Sequence, residues 1–375
     1  MSTEQVATMI RDGQPLRITG RGAWLDAGRP VSATRTLSLA HDAGVVSYVP
    51  GDLTLTVRAG TTLADIAKIT GEKNQWLPLD PYGSADGTIG ATVATASAGP
   101  LSSSFGLVRD LLLGMEFVNG RGEVIRAGGK VVKNVAGFDL TRLVTGSWGT
   151  LGVITEVTLR LYAQPPADRT VVIELDGTPR EMAAVLRGMI TPVLSPIAFQ
   201  LVSRSISRAL RLGESPVALV RFGGNESAVN AQMGAVRQIA TPRELETTVW
   251  GSLRELDGKT TTAIRISSLP QRLLATAATI LSDDLPAIYT NIDPRRGVMR
   301  ITVSSDAPVG EGESDSNAAM DFSADTNGSS NVVFEKLPPD VWAAVSASVV
   351  ADPLSQGIKK AYDPHNILNP GILGD

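Results

Sequence analysis

Two segments rich in glycine and threonine decide the fold of this chain: DGTIGATVAT at 86–95 and GSWGTLGVIT at 146–155. Nearly every polar residue in them is small. Glycine has no Cβ, so it admits positive φ and lets another backbone or a ligand approach closely. The pattern favours a backbone wrapped around a flat, polar ligand. The alternative is a set of tight turns between short strands, in which glycine marks only a bulge or a close backbone contact.

Composition restricts the class of protein. With 375 residues, of which 43% are hydrophobic, the chain can form two domains with large cores. The net charge is -4 and both signs are mixed along the chain, so nothing predicts a nucleic-acid partner. The N-terminus has no basic segment followed by an apolar one, and no apolar run is long enough for a membrane span. We therefore expect a cytoplasmic protein with no transmembrane segment.

Cysteine is absent and histidine occurs only at His41 and His365. The absence of cysteine excludes disulfides, thiolate chemistry, a cysteinyl-flavin bond and an iron–sulfur cluster held by this chain. Two histidines far apart in sequence argue against a zinc site, so we expect no bound metal.

The common nucleotide-binding motifs are also absent. The turn Gly20-Arg21-Gly22 has Leu25 where a Rossmann fingerprint has its third glycine, and Gly129-Lys130 is followed by Val131, not by Ser or Thr. The backbone N–H groups of the first turn can still face a pyrophosphate, as anion-binding nests do.

Hydrophobic periodicity and turn residues predict two regions of different organisation. In the first, the predicted strands and helices cover 4–12, 16–22, 45–50, 54–60, 63–70, 111–118, 123–127, 139–144 and 152–162. In the second, strands alternate with helices at 170–175, 179–190, 217–222, 226–240, 262–267, 271–281, 298–303, 332–335 and 338–350. The second pattern fits a mostly antiparallel sheet with helices on one face. A polar insertion is predicted at 306–331.

Several motifs in a fixed order carry a resemblance to a known family. They are YVP at 48–50, the block 54–66, GTIG at 87–90, FGL at 105–107, NGRGEV at 119–124, VVKNVAGFDL at 131–140, GTLGVITE at 149–156 and YDPHNILNPG at 362–371. The chain from 16 to 161 resembles the FAD-binding domain of the vanillyl-alcohol-oxidase and cresol-methylhydroxylase (PCMH) type. Within that family it is most similar to the FAD-binding subunits of bacterial glycolate oxidases.

The resemblance implies an α+β protein. A PCMH-type FAD-binding domain of two α+β subdomains would span 1–165. A mostly antiparallel α+β cap domain would span 166–351, and a C-terminal segment at 352–375 would return to the first domain. The implied contacts with FAD are Gly20, Arg21, Gly22, Gly87, Thr88, Ile89, Gly90, Thr95, Gly106, Arg109, Gly149, Gly152, Val153, Ile154 and Asn369.

Several side chains have two interpretations. Arg109 and Lys133 are candidate cations near the flavin or its phosphates, or they form surface salt bridges, such as one between Arg109 and Asp110. Trp148 and Phe105 are expected in the core and not against a ligand. In the cap, Arg221 and Arg265 are candidates for binding a substrate carboxylate, as is Arg300. The alternative is an outward arginine on a half-exposed sheet.

One departure from the family concerns the bond to the cofactor. Many relatives carry a linkage histidine just after the first glycine turn, where this chain has Ala23 and Trp24. His41 lies well past that turn. We therefore expect FAD to be bound noncovalently.

The implied function is that of the FAD-binding subunit of a glycolate oxidase complex, which oxidises glycolate, a small 2-hydroxy acid, to glyoxylate. Electrons would pass to an iron–sulfur subunit, next to a second FAD-linked subunit, and these partners would hold the chain at the inner membrane. One alternative is a free-standing FAD-dependent oxidoreductase acting on a hydroxy acid or sugar alcohol. Another is a structural flavin-bearing subunit that turns over nothing. The cap's lack of histidine favours the subunit readings, because it leaves few conventional bases.

Overall fold

The computed structural model describes residues 1–129, 139–283, 285, 287–305, 330–345 and 353–374. Lys133 and most of the motif at 131–140 lie outside these ranges, and so does almost all of the insertion predicted at 306–331. The chain divides into two compact units. The first contains Met1–Gln164 and Trp342–Asp375, and the second contains Pro165–Val341.

The first unit contains short helices around antiparallel strands. Its helices through residue 164 are α1 Thr3–Arg11, α2 Leu63–Gly71, α3 Ile89–Thr95, α4 Ser102–Phe105, α5 Val108–Leu111 and α6 Leu140–Val144. Its strands are β1 Leu16–Thr19, β2 Arg35–Ser38, β3 Val45–Val49, β4 Thr54–Arg58, β5 Gln75–Trp76, β6 Leu112–Val118, β7 Val124–Gly128, β8 Val153–Arg160 and β9 Tyr162–Ala163. Five strands form one antiparallel sheet in the order β3-β4-β8-β6-β7, while β1 pairs with β2 in parallel and β5 with β9 in antiparallel.

Helix α3 lies in the first decisive segment, where the sequence predicted no helix. Its sequence, IGATVAT, combines glycine with β-branched residues and is a poor helix former. Local capping and tertiary contacts compensate. The Thr88 hydroxyl accepts from Ala91 N at 3.4 Å, and Gly90 N donates to Ala59 O at 2.8 Å. The helix therefore depends on close packing against the end of β4.

The end of the chain completes this unit. Leu16 N donates to Ile367 O at 2.8 Å, and Asn369 N donates to Leu16 O at 3.0 Å, so the segment beside β1 comes from the far end of the sequence. The buried Asp363 carboxylate holds this segment, because it accepts from Ile367 N, Leu368 N and Lys359 Nζ.

The second unit is one eight-stranded antiparallel sheet with three of its helices against one face. Its strands are β10 Ala167–Glu174, β11 Ala198–Val202, β12 Val217–Gly224, β13 Arg243–Leu245, β14 Thr260–Ser267, β15 Ile288–Asp293, β16 Val298–Ser304 and β17 Asn331–Lys336. Its helices are α7 Pro179–Met189, α8 Arg204–Ala209, α9 Glu226–Arg237, α10 Val249–Glu255 and α11 Pro270–Ser282. The strand order is β13-β10-β12-β11-β15-β16-β14-β17. The last helices of the described chain are α12 Pro339–Trp342 and α13 Pro353–Tyr362.

One hydrophobic core joins this sheet to α7, α9 and α11, through residues such as Phe199, Phe222 and Leu281. The predicted mostly antiparallel sheet is confirmed, and so is the α+β class. Helices do not lie on one face alone, because Trp250 of α10 donates to Thr170 Oγ1 at 2.9 Å, on the face opposite Val171 and Ile173. Strands β11 and β15 were not predicted. Every residue of β11 is buried, so its side chains lack the alternation of apolar and polar residues that marks a half-exposed strand.

Candidate functional site: a cleft lined by small residues

A cleft opens in the first unit between β1, α3, the loop before β8 and the C-terminal segment. It encloses about 790 Å³ of empty space, part of which is open to solvent. Its lining is mostly backbone and small or apolar side chains. The lining residues are Ile18, Thr19, Gly20, Arg21, Gly22, Ala23, Trp24, Leu25, Leu39, Ala59, Thr88, Gly90, Ala91, Ala94, Thr95, Trp148, Gly149, Gly152, Ile154, Asn369 and Ile372.

Most of the predicted cofactor contacts meet in this cleft, although they come from distant parts of the sequence. Those that line it are Gly20, Arg21, Gly22, Thr88, Gly90, Thr95, Gly149, Gly152, Ile154 and Asn369. The lining does not include Gly87, Ile89, Gly106, Arg109 or Val153. The Ile89 and Val153 side chains are fully buried in the core, while Arg109 is exposed. Gly87 N donates to Ser84 O, and Gly106, at φ +87°, ends α4.

Glycine serves protein packing at two of these positions. A Cβ on Gly90 would lie 2.9 Å from Ala59 O, and one on Gly152 would lie 2.5 Å from Phe117 Cδ2. These contacts are with other parts of the protein and not with the space of the cleft. For these two residues the structure therefore supports the close backbone contact that the sequence left open as an alternative.

Asn369 joins three edges of the cleft. Its backbone is left-handed, with φ +46°, which asparagine tolerates better than most residues. Its Oδ1 accepts from Ile18 N at 2.7 Å, and its Nδ2 donates to Trp148 O at 2.8 Å. One side chain thus fixes the position of β1 relative to the loop that carries Trp148 and Gly149.

The apolar part of the lining was not foreseen. Trp24, Leu39 and Ile372 lie outside the quoted motifs, while Trp148 and Ala59 lie within them but were not named as cofactor contacts. Trp148 was expected in the core, and this is wrong, because its side chain is half-buried and lines the cleft. Phe105 packs against Trp76 and Tyr162, with ring centroids 5.4 Å and 5.2 Å away.

The chemistry of the cleft fits FAD, a molecule with two flat rings joined through a diphosphate. Among the lining residues Arg21 is the one charged side chain, and it is exposed. Backbone N–H groups in glycine turns can bind phosphate without further positive charge. Beside the cleft, the buried Ser147 hydroxyl has no hydrogen-bond partner in the described part of the chain, so one polar atom here has unused bonding capacity.

The candidate arginines of the second unit are all in ion pairs. Arg221 is bidentate with Asp168, and Arg265 Nε donates to Glu335 at 2.7 Å. Arg300, whose side chain is 5% exposed, donates to Asp257 at 2.8 and 3.0 Å and also binds Glu335. Burial raises the pKa of the Glu335 carboxyl, but Arg300 and Arg265 outweigh it and hold that pKa below its usual range. All three therefore already have carboxylate partners.

The described part of the chain also bears on metal binding and on membrane insertion. Within it, histidine, aspartate and glutamate form no cluster of three that is suited to a metal ion. No helix in the same part of the chain is both long and apolar enough to cross a membrane.

Comparison with known proteins first defines the class. An FAD binding domain family matches residues 2–128. The 4-ethylphenol oxidase of Gulosibacter chungangensis superimposes with a TM-score of 0.72 at 15% identity, covering 100% of this chain and 88% of that one. An alkyldihydroxyacetonephosphate synthase gives a TM-score of 0.70 at 16% identity, covering 98% and 74%. The fold is therefore that of the PCMH-type FAD-binding proteins.

Sequence relatives then define the family. Glycolate oxidase subunit GlcE of Escherichia coli K12 is 35% identical over 255 residues, which cover 67% of each chain. Glycolate oxidase subunit GlcD of Bacillus subtilis is 32% identical over 182 residues, or 48% of this chain and 39% of that one. A mitochondrial D-lactate dehydrogenase of Arabidopsis thaliana is 31% identical over 195 residues, or 51% and 34%. The chain belongs to the FAD-linked oxidoreductase family of the glycolate oxidase subunits, and its cofactor is FAD.

Proposed function

We propose that this chain is the FAD-binding subunit of a glycolate oxidase, supporting the oxidation of glycolate to glyoxylate. The observation that carries the proposal is the match to the Escherichia coli glycolate oxidase subunit at 35% identity, which spans the same fraction of both chains.

The cleft supplies the groups that would hold FAD. The Gly20–Gly22 turn and Arg21 would face the diphosphate, while the apolar walls at Leu39 and Ile154 would exclude water from the rings. FAD, when bound, supplies the hydride chemistry, and the protein orients it. The side chain of Asn369 holds two walls of the cleft in place.

The bond to FAD is proposed to be noncovalent. No histidine lines the cleft, both histidines are exposed, and the chain has no cysteine. We therefore expect acid precipitation of the purified yellow protein to release all FAD into the supernatant, which absorbance measures. Flavin that stays in the washed pellet would contradict this proposal.

The second unit supports a role within a complex. Its three candidate arginines are engaged with carboxylates, so a glycolate carboxylate would have to displace Asp168, Asp257 or Glu335 from them. We therefore propose that the flavin of this chain acts as a relay or second site. The partners would be an iron–sulfur subunit and a second FAD-linked subunit, through which the complex would associate with the inner membrane.

The test compares the chain expressed alone with the chain co-expressed with the candidate partner subunits. Glycolate-dependent reduction of a dye is measured at equal flavin content, together with anaerobic bleaching of the flavin. We expect little activity from the isolated chain and much more from the assembly. Equal rates would replace this proposal with a free-standing oxidoreductase. An assembly whose rate is unchanged when this chain's FAD is absent would indicate a non-catalytic flavin-bearing subunit.

A further inference from the structure

Two tryptophans form an aromatic corner on the wall of the cleft. The rings of Trp24 and Trp148 meet edge to face, with centroids 6.4 Å apart and planes at 85°. Both side chains line the cleft and both are half-buried. Exposed apolar rings inside a ligand cleft are costly in water, and they are the groups that pockets use to bind flat ligands.

The backbone of Trp148 is held in an unusual conformation. Its φ is +55°, in the left-handed region that bulky residues avoid, and it lies between Gly146 at +81° and Gly149 at +74°. Trp148 N donates to Ala94 O at 2.8 Å, and its carbonyl accepts from Asn369 Nδ2 at 2.8 Å. Strained residues fixed by several contacts cluster at ligand sites.

The packing behind the ring fixes its position further. A Cβ on Gly28 would lie 3.2 Å from Trp148 Cζ3 and 2.8 Å from Ile372 Cγ1, so Gly28 lets both side chains approach the backbone closely. Trp148 is therefore supported from behind by Gly28 and at its edge by Trp24. It presents a prearranged apolar surface to the cleft.

We propose that the Trp24–Trp148 corner contacts one of the two flat rings of FAD and supplies binding energy that replaces a covalent attachment. The inference rests on the proposed noncovalent occupancy of this cleft. Both the adenine and the isoalloxazine are planar aromatic heterocycles, so the geometry identifies a stacking or edge contact with such a ring. Riboflavin carries the isoalloxazine and ADP carries the adenine, so binding of each fragment separately shows which ring the corner contacts.

The chain provides a matched control for this test. Trp76 is also half-buried in the first unit and meets Phe105 edge to face, with centroids 5.4 Å apart and planes at 83°, but it does not line the cleft. The variants Trp24→Leu and Trp76→Leu therefore remove the same side chain from the same kind of pair. Trp24→Phe restores an aromatic ring at the cleft.

The experiment measures the dissociation constants of FAD, riboflavin and ADP for the full-length apoprotein by calorimetry, and the quenching of tryptophan fluorescence by FAD. Aromatic contact with a base is worth about 1–3 kcal/mol, so we expect Trp24→Leu to weaken FAD binding by roughly 5- to 150-fold. The phenylalanine variant should recover most of the loss, and Trp76→Leu should bind FAD as the parent chain does. Only one fragment, riboflavin or ADP, should share the loss.

The outcomes separate this inference from the proposed function. If Trp24→Leu binds FAD as tightly as the parent chain, or weakens it no more than Trp76→Leu does, the aromatic corner has no role. If both fragments bind unchanged in Trp24→Leu, the inference also fails. If the parent chain binds FAD only through a covalent bond, the proposed noncovalent site itself fails, whatever the variants do.

Discussion

The cleft of the first unit and the sheet of the second unit handle polar groups in opposite ways. The cleft is lined by glycines, small hydroxyl residues, apolar side chains and one charged side chain, Arg21. The sheet places Arg300 beside Asp257 and Glu335, in a network that its members satisfy among themselves. The difference shows that charge alone does not mark a ligand site. The unfilled space of the cleft is the feature that the sheet network lacks.

Removal of the charge from the sheet network should give the largest effect. In Arg300→Met, Asp257 and Glu335 would lose the guanidinium that both of them bind. Breaking one partner of a buried ion pair costs about 3–5 kcal/mol, so the free energy of unfolding should fall by that amount. Urea unfolding of the FAD-free protein measures it.

The control lies in the same unit. Arg237 and Glu244 form an exposed pair at 3.5 Å, and Arg237→Met should cost at most about 1 kcal/mol. If both variants lose the same free energy of unfolding, the buried network of Arg300 stabilises the protein no more than an exposed ion pair does.

A second prediction concerns Asp293, a buried carboxylate of the sheet whose hydrogen bonding is incomplete in the described part of the chain. Asp293 Oδ1 accepts from Arg295 N and Arg296 N, but its buried Oδ2 has no hydrogen-bond partner among the described residues. Burial raises the pKa of Asp293 to about 6 from 3.8, against the opposing effect of those two arginines. The folded state thus holds this proton to higher pH than the unfolded state does.

Stability should therefore fall as pH rises from about 4 through about 6, by about 3 kcal/mol from this group alone. The variant Asp293→Asn should lack this part of the pH dependence. The free energy of unfolding of the parent chain, minus that of the variant, should therefore fall between pH 4 and pH 6. Asp176→Asn, at an exposed position of the same unit, is the control. A constant difference between Asp293→Asn and the parent chain from pH 4 to 7 would show that Asp293 is charged throughout.

The smallest effect tests the packing that shapes the cleft. In Gly90→Ala the added Cβ would lie 2.7 Å from the Ala59 Cβ and 2.9 Å from its carbonyl oxygen. Overpacking of this kind costs about 1–3 kcal/mol, reduced by the better helix propensity of alanine. Gly51→Ala is matched, because nothing lies within 4 Å of its added Cβ. Thermal unfolding measures the stability of both variants. If Gly90→Ala is as stable as the parent chain, α3 can move away from β4.

The sequence predicts the glycine and threonine residues of the cleft better than it predicts the aromatic ones. Gly20, Thr88 and Gly149 belong to short motifs, so local chemistry identifies them before the fold is known. The pairing of Trp24 with Trp148 could not be identified in this way, because it joins segments that the chain brings together only on folding. Likewise, the strand position of Arg300 was predictable, but its pairing with Asp257 was not, since that partner lies in a short 3-10 helix, Leu256–Lys259, outside the strands.

The hydrogen bond between Ile18 and Asn369 joins residues 351 positions apart. During synthesis, β1 emerges first and must wait for nearly all of the intervening chain before its neighbour exists. Closing so long a loop is slow, because the chain loses conformational entropy before the stabilising contact forms. A ribosome that stops anywhere before codon 369 leaves a product whose cleft lacks one wall. The cleft therefore takes its full shape only after almost the whole chain has been synthesised.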